Sequence, residues 1–114
     1  MTGGVIGAGN VSAVRVGYLA VVSGSPVALG RDAGGLYALS TICTHAGCDI
    51  SYNGSISTSG LFCGCHGSQF SPNGDPISGP ARSPLTHYAV AVDAAGAISI
   101  NTGSVVAEST RTPA

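Results

Sequence analysis

Two short segments that combine cysteine with histidine constrain this chain more than any other part of its sequence. They are Cys43-Thr44-His45 and Cys63-Gly64-Cys65-His66. Two thiolates and two imidazoles suit tetrahedral zinc, which is common in small domains, and they also suit an iron-sulfur cluster whose two irons share the four ligands. The ligand types alone leave both metals open.

The residues around these segments bear on the choice of metal. Both segments closely resemble the ligand segments of Rieske iron-sulfur proteins, and the resemblance covers the middle third of the chain. The residues that carry it are Cys43-Thr44-His45-Ala46-Gly47-Cys48 and Cys63-Gly64-Cys65-His66-Gly67-Ser68-Gln69-Phe70. It implies a [2Fe-2S] cofactor with thiolates from Cys43 and Cys63 on one iron. Imidazoles of His45 and His66 would ligate the other iron.

The implied ligands predict a raised reduction potential. Two ferric ions, two sulfides and two thiolates sum to a formal charge of about zero, against about −2 with four thiolates, so an added electron is better tolerated. Reduction favours protons on the outer nitrogens of His45 and His66. We therefore expect the potential to fall as pH rises through the pKa values of these histidines in the oxidised protein.

Cys48 and Cys65 lie inside the ligand segments without matching a ligand position. In high-potential Rieske proteins that carry cysteines here, the pair forms a disulfide between the two cluster-binding loops, and the resemblance implies the same bridge in this chain. Such a bridge stabilises by roughly 3 kcal/mol on the loop-entropy model. Two buried thiols are the alternative.

Two further positions in the resemblance bear on the potential. Ser68 matches a serine whose hydroxyl bonds a bridging sulfide in the high-potential members and stabilises the reduced state. Phe70 stands where those members often carry a tyrosine that bonds a ligand cysteine. We therefore expect a potential below that of the respiratory quinol-oxidising proteins and above that of four-cysteine ferredoxins. Phe70 also suits a packing role under the loop.

Glycine and proline shape the expected surroundings of the cluster. Gly47, Gly64 and Gly67 suit loops whose amides approach the cluster sulfurs closely. Pro80 matches the family's proline loop, which presents an apolar wall over the cluster. Arg82 replaces the second proline of that loop, a departure that alters the loop's stiffness and docking surface. A plain turn is the simpler interpretation of this segment.

The remaining sequence is typical of β-structure. Runs of β-branched and small residues predict strands over 11–22, 27–30, 36–39, 85–92 and 97–100, with turns at 32–35 and 93–96. We predict a single all-β domain over 1–114, and the resemblance implies the three stacked antiparallel sheets of the Rieske fold. The base would span 5–39 and 85–103, with a cluster-binding subdomain inserted at about 40–84. A loosely packed tail would follow at 104–114.

Composition excludes two classes of partner. Charged residues make up 8% of the chain and the formal net charge is −1, so we expect no surface for nucleic acid. Apolar runs are short, so we expect no membrane-spanning segment in this chain. A structural disulfide favours a periplasmic or other extracytoplasmic location over the cytoplasm, with membrane association if an upstream anchor was removed.

Three functions fit the resemblance. The first is a soluble carrier or small subunit that passes one electron to a cytochrome or copper protein. The second is the quinol-oxidising subunit of a cytochrome bc-type complex, and the third is the ferredoxin component of a ring-hydroxylating oxygenase. The implied disulfide and Ser68 argue against the third, while Phe70 and Arg82 favour the first. No catalytic residue can be named, so we expect no independent catalysis.

Overall fold

The computed structural model describes residues 4–44, 47–65, 67–79 and 82–114 of the chain. These residues contain ten strands, a 3-10 helix at Val11–Ala13 and a short α-helix, α1, at Ile50–Asn53. The strands are β1 (Val5–Asn10), β2 (Leu19–Val21), β3 (Val27–Asp32), β4 (Gly35–Ser40), β5 (Gly54–Ser57), β6 (Gly60–Cys63), β7 (Gln69–Phe70), β8 (Pro76–Ser78), β9 (His87–Val92) and β10 (Ala97–Val106). Neither helix in this part of the chain has the length and apolarity needed to span a bilayer.

The strands form two antiparallel sheets. The larger sheet has the order β1-β10-β9-β4-β3-β2. Its two halves meet where Ala38 pairs with Tyr88 and Leu39 pairs with His87. The smaller sheet has the order β5-β6-β7-β8 and comes from the stretch of chain between β4 and β9.

Strands β3 and β4 form a middle layer with both faces buried. Residues that alternate along these strands belong to two separate apolar clusters, as the two-residue repeat of a strand requires. The face toward the smaller sheet presents Ala28, Tyr37 and Leu39. The face toward β10 presents Val27, Leu29, Leu36 and Ala38. The three stacked layers implied by the resemblance are therefore present, and the pairing of β4 with β9 makes two of them one continuous sheet.

The segment 11–22 differs from its prediction as a strand. Strand β2 is limited to Leu19–Val21. The Asn10 side chain accepts a hydrogen bond from the Ser12 amide at 3.0 Å and thereby caps the 3-10 helix. Gly17 then takes a φ of 96°, a left-handed conformation that interrupts extended backbone. The prediction followed the β-branched composition of this segment, which signals neither the 3-10 helix nor the left-handed glycine.

The segment 104–114 also differs from its prediction as a loosely packed tail. Strand β10 continues to Val106. Thr112 then pairs with Leu36, and its Oγ1 donates to the Val90 carbonyl at 2.7 Å. These long-range contacts hold the segment against the larger sheet.

Arg111 adds a polar attachment for the same segment. Its Nη2 lies 2.8 Å from Asp32 Oδ2, and its guanidinium lies 4.2 Å from the centre of the Tyr37 ring. The hydrogen bond from Arg111 holds the pKa of Asp32 below its usual value. Nη2 also donates to Asn73 Oδ1 at 2.7 Å. Arg111 therefore connects β3 and β4 to the stretch that precedes β8.

Candidate metal centre

The first ligand loop, residues 43–48, connects β4 to α1. Its base is closed where Ile42 pairs with Asp49. The Cys43 amide donates to the Cys48 carbonyl at 2.7 Å, and the Gly47 amide donates to the Cys43 carbonyl at 2.9 Å. Gly47 has a φ of 72°, which glycine adopts without steric cost. Cys43 is buried at the start of this loop.

The second ligand loop, residues 63–68, connects β6 to β7. Its hydrogen bonds repeat those of the first loop at the corresponding positions. The Cys63 amide donates to the Ser68 carbonyl at 2.8 Å, and the Gly67 amide donates to the Cys63 carbonyl at 3.0 Å. Gly67 has a φ of 80°, and Cys63 is fully buried. Each loop therefore begins with a buried cysteine and closes through a left-handed glycine.

A disulfide between Cys48 and Cys65 joins the two loops, with the Cα atoms 6.6 Å apart. The bridge implied by the resemblance is confirmed, and the alternative of two thiols is wrong. Cys65 is exposed and Cys48 is partly buried. The bridge thus lies toward solvent, whereas Cys43 and Cys63 lie in the core.

The described residues fit a cluster held between the two loops. Cys43 and Cys63 start loops of the same backbone pattern, and buried thiolates are the sulfur ligands that a Rieske iron takes. His45 and His66 fall between the ends of these loops in the sequence. Both histidines lie outside the described residues, as does Pro80, so their assigned roles stay predictions.

The connection from β8 to β9 contacts both ligand loops. Gly79 has a φ of 90°, and a Cβ at this position would lie 2.6 Å from the Cα of Ser68 in the second loop. Thr44 of the first loop donates from Oγ1 to the Ser83 carbonyl at 2.8 Å. The described ends of the predicted proline loop therefore lie against both ligand loops.

Ser68, the last residue of the second loop, and Phe70, in β7, are both buried. Phe70 belongs to the apolar cluster that also contains Leu39, Leu61 and Leu85. Its packing role is therefore evident from the structure. The role of Ser68 as a hydrogen-bond donor to a cluster sulfide stays a prediction.

Asp49 is a residue of the site that the sequence analysis missed. Its Oδ1 accepts hydrogen bonds from the Thr41 hydroxyl at 2.8 Å, the Ser51 amide at 3.0 Å and the Ser51 hydroxyl at 2.6 Å. Burial disfavours the carboxylate, but these donors outweigh burial and hold the pKa of Asp49 below its usual value. Asp49 fixes the base of the first loop. An aspartate before a short helical stretch is a capping signal that could have revealed this role.

Comparisons with known proteins agree with the ligand segments. The profile of the Rieske [2Fe-2S] domain matches residues 6–89. Over 64 residues the chain is 39% identical to the cytochrome b6-f complex iron-sulfur subunit of Prochlorococcus marinus, an overlap of 56% of this chain and 35% of that protein. Over 63 residues it is 40% identical to the carotenoid phi-ring synthase of Chlorobaculum tepidum, an overlap of 55% and 9%. The chain thus spans about a third or less of these curated relatives.

Solved structures share the arrangement of strands. The plasma membrane Rieske protein of Synechocystis PCC 6803 aligns with a TM-score of 0.62 and 24% identity, covering 83% of this chain and 97% of that one. The ferredoxin of carbazole 1,9a-dioxygenase from Nocardioides aromaticivorans IC177 aligns with a TM-score of 0.55 and 25% identity, covering 88% and 97%. At 24% identity, the first likeness concerns the fold alone.

Proposed function

Because this chain belongs to the Rieske [2Fe-2S] domain family, we propose that it transfers single electrons as a soluble carrier or a small electron-transfer subunit. The observation that carries the proposal is the pair of matching loops, each with a buried cysteine at its start and joined by the Cys48–Cys65 disulfide. Loops fixed in this way suit a carrier, because a preorganised site moves little when its charge changes.

The residues of the two loops would divide the work of holding the cofactor. When bound, a [2Fe-2S] cluster accepts one electron and later releases it. Cys43 and Cys63 would hold one iron as thiolates, and His45 and His66 would hold the other through ring nitrogens. The Ser68 hydroxyl would stabilise the reduced state by donating a hydrogen bond, and Phe70 adds no second hydroxyl. These contributions favour an intermediate potential.

Electron paramagnetic resonance of the reduced protein, combined with a redox titration and a sulfide assay, tests this proposal. We expect a Rieske-type signal and a potential within roughly −150 to +300 mV. Cys43→Ser and Cys63→Ser should each abolish the signal, whereas Ser55→Ala, at an exposed position of β5, should leave it unchanged. Colourless protein that carries one zinc and no sulfide would overturn the proposal.

We further propose an extracytoplasmic location and a cytochrome or copper protein as the partner. The disulfide supports the location, because cytosolic reductants keep most thiols reduced. Rapid alkylation of the protein in its native cells, followed by mass spectrometry, should find Cys48 and Cys65 oxidised. A reduced pair would contradict the location. Reduction of a c-type cytochrome or a cupredoxin by the reduced protein, followed by absorbance, tests the partner.

Two alternative functions each have an observation in their favour. The Prochlorococcus relative is a subunit of a cytochrome complex, which favours quinol oxidation. The likeness to a dioxygenase ferredoxin favours supply of electrons to an oxygenase, although the disulfide and Ser68 argue against it. A potential at the low end of the Rieske range, near about −150 mV, would support the oxygenase function. Rapid reduction of the oxidised protein by a quinol would support the complex.

A further inference from the structure

Formal charge is scarce around the ligand loops. Between residues 40 and 84 the sequence contains three charged side chains, Asp49, Asp75 and Arg82. Asp49 is partly buried and accepts three hydrogen bonds at the base of the first loop. Asp75 is also partly buried, and its side chain next to Glu108 raises the pKa of that exposed glutamate. Both carboxylates are therefore partly withdrawn from solvent.

Arg82 differs from these carboxylates, because it is exposed and lies in the connection that contacts both ligand loops. Gly79, on one side of it, packs against the second loop, and Ser83, on the other side, accepts the hydrogen bond from the first loop. The exposed residues described in the loops themselves are uncharged: Thr44, Gly47, Gly64, Cys65 and Gly67. Among the described residues of 40–84, Arg82 is therefore the one exposed charged side chain.

We propose that Arg82 selects a redox partner protein that carries carboxylates around its electron entry site. This inference rests on the proposed electron-transfer function. The formal net charge of the chain is −1, so its overall field is weak. Exposed charges act over about 8 to 10 Å in physiological salt, so the guanidinium acts mainly on a partner that approaches these loops. Carboxylates on the partner are attracted and lysines are repelled, which changes the rate of association more than the final affinity.

Small redox complexes of opposite charge measure the local charge directly. The reduced, cluster-loaded protein is mixed in stopped flow with anionic hexacyanoferrate(III) or with cationic tris(phenanthroline)cobalt(III), over a series of ionic strengths. In each reaction one electron passes from the protein to the complex, giving hexacyanoferrate(II) or the cobalt(II) complex, and no bond forms or breaks. Because the reduced cluster itself carries a formal charge of about −1, the contribution of Arg82 is a difference between proteins. The rate constant for the anion should fall more steeply with added salt, or rise less steeply, in the wild type than in Arg82→Gln, and the rate constant for the cation should show the opposite difference.

Substitutions then assign the effect to one side chain. Arg82→Gln should slow the anionic probe at low salt by about threefold or more and speed the cationic probe, while Arg82→Lys should keep the wild-type rates. Arg15→Gln is the matched control, because Arg15 is also an exposed arginine. It lies before β2 and lines a groove together with Thr58. Thr58 lies in the turn between β5 and β6, at the opposite end of β6 from Cys63. Both glutamine variants change the net charge by the same amount.

Protein acceptors extend the test to the kind of partner proposed. A cupredoxin with an acidic patch should lose rate with Arg82→Gln, and a cytochrome c with a lysine-ringed haem edge should gain it. Equal effects of Arg82→Gln and Arg15→Gln, or no effect of Arg82→Gln, would overturn the inference and leave the electron-transfer function standing. Protein that cannot be reduced, or that reduces neither complex, would instead overturn the proposed function.

Discussion

The two ligand loops share one hydrogen-bonding pattern but are attached to the protein in different ways. The second loop joins neighbouring strands of the smaller sheet, and the Gly64 amide within it donates to the Asn53 carbonyl at 2.5 Å. The first loop is closed by the single pair of Ile42 and Asp49, with the Asp49 carboxylate at its base. The second loop is attached to the sheet by backbone hydrogen bonds. The first loop has a single backbone bridge at its base, which the side-chain hydrogen bonds of Asp49 reinforce. The first loop should therefore be the more sensitive to side-chain substitution.

The disulfide uses a different position in each loop. Cys48 and Ser68 have the same place in the two loops, since each accepts the hydrogen bond from the amide of the leading cysteine. Cys65 follows Cys63 at the spacing by which His45 follows Cys43. The disulfide therefore joins the last residue of the first loop to the third residue of the second loop, so the two loops are not related by symmetry around the bridge.

Removal of the disulfide should have the largest effect. The double substitution Cys48→Ser and Cys65→Ser should lower the free energy of unfolding by roughly 3 kcal/mol, because the unfolded chain regains freedom. Urea unfolding of the cluster-loaded protein measures the loss. Hydrogen exchange should then accelerate more at the Gly47 amide than at the Gly67 amide, since the first loop lacks a strand ladder. Equal acceleration at both amides would contradict the difference between the loops.

Alanine at the two left-handed glycines should have the next largest effect. A Cβ at Gly47 or Gly67 meets no described atom within 4 Å, so backbone strain is the one cost that the described residues impose on it. Each substitution should cost about 1–2 kcal/mol, and the two costs should agree. Gly79→Ala serves as a contrast, because its Cβ would also press on Ser68. Costs at Gly47 and Gly67 that differ by more than about 1 kcal/mol would break the equivalence of the loops.

The second loop should tune the potential through Ser68. Loss of one hydrogen bond of about 1 kcal/mol to the reduced state should lower the potential of Ser68→Ala by about 40 mV. Phe70→Tyr should raise the potential by a similar or smaller amount. Protein-film voltammetry measures both shifts, with Ser55→Ala as the control that stays at the wild-type value. An unchanged or lower potential for Phe70→Tyr would contradict this account of the intermediate potential.

The first loop should depend on the Asp49 side chain. Asp49→Ala should cost about 1 kcal/mol, the usual value of a cap, while Asp49→Asn keeps an acceptor oxygen and should recover most of it. Asp93 is a matched control, because its carboxylate accepts from the Ala95 and Ala97 amides in the turn before β10. Asp93→Ala should lower stability and leave the paramagnetic signal unchanged, whereas Asp49→Ala should alter the signal. Identical paramagnetic signals for both variants would show that Asp49 contributes to stability without influencing the metal centre.

The smallest expected effect is the pH dependence of the same residue. The pKa of Asp49 is lower in the folded than in the unfolded protein, where a carboxyl titrates near about 3.9. Its stabilising contribution is therefore complete above the unfolded pKa and is lost as pH falls through the folded pKa. The stability advantage of wild type over Asp49→Asn should shrink below about pH 4 in urea titrations followed by circular dichroism. An advantage that grows in acid would contradict this sign.

Local patterns in the sequence predicted much of the fold. The predicted strands at 27–30, 36–39, 85–92 and 97–100 overlap β3, β4, β9 and β10, because β-branched runs bounded by turn residues are local signals. The packing of Thr112 on Val90 and of Arg111 on Asp32 escaped prediction, because each contact joins residues far apart in the chain. The disulfide followed from the family resemblance. The roles of His45, His66 and Pro80 remain predictions, since these residues lie outside the described part of the chain.

The doubly buried middle layer has a consequence for the order of folding. Strands β3 and β4 are adjacent in sequence and pair along their whole length, from Val27 with Ser40 to Asp32 with Gly35. A hairpin of such local contacts forms quickly, whereas β1 must meet β10 across most of the chain. We therefore expect this hairpin to nucleate folding, and the outer layers to pack on its two faces afterwards. The strands that support the ligand loops would thus form before the loops that hold the iron.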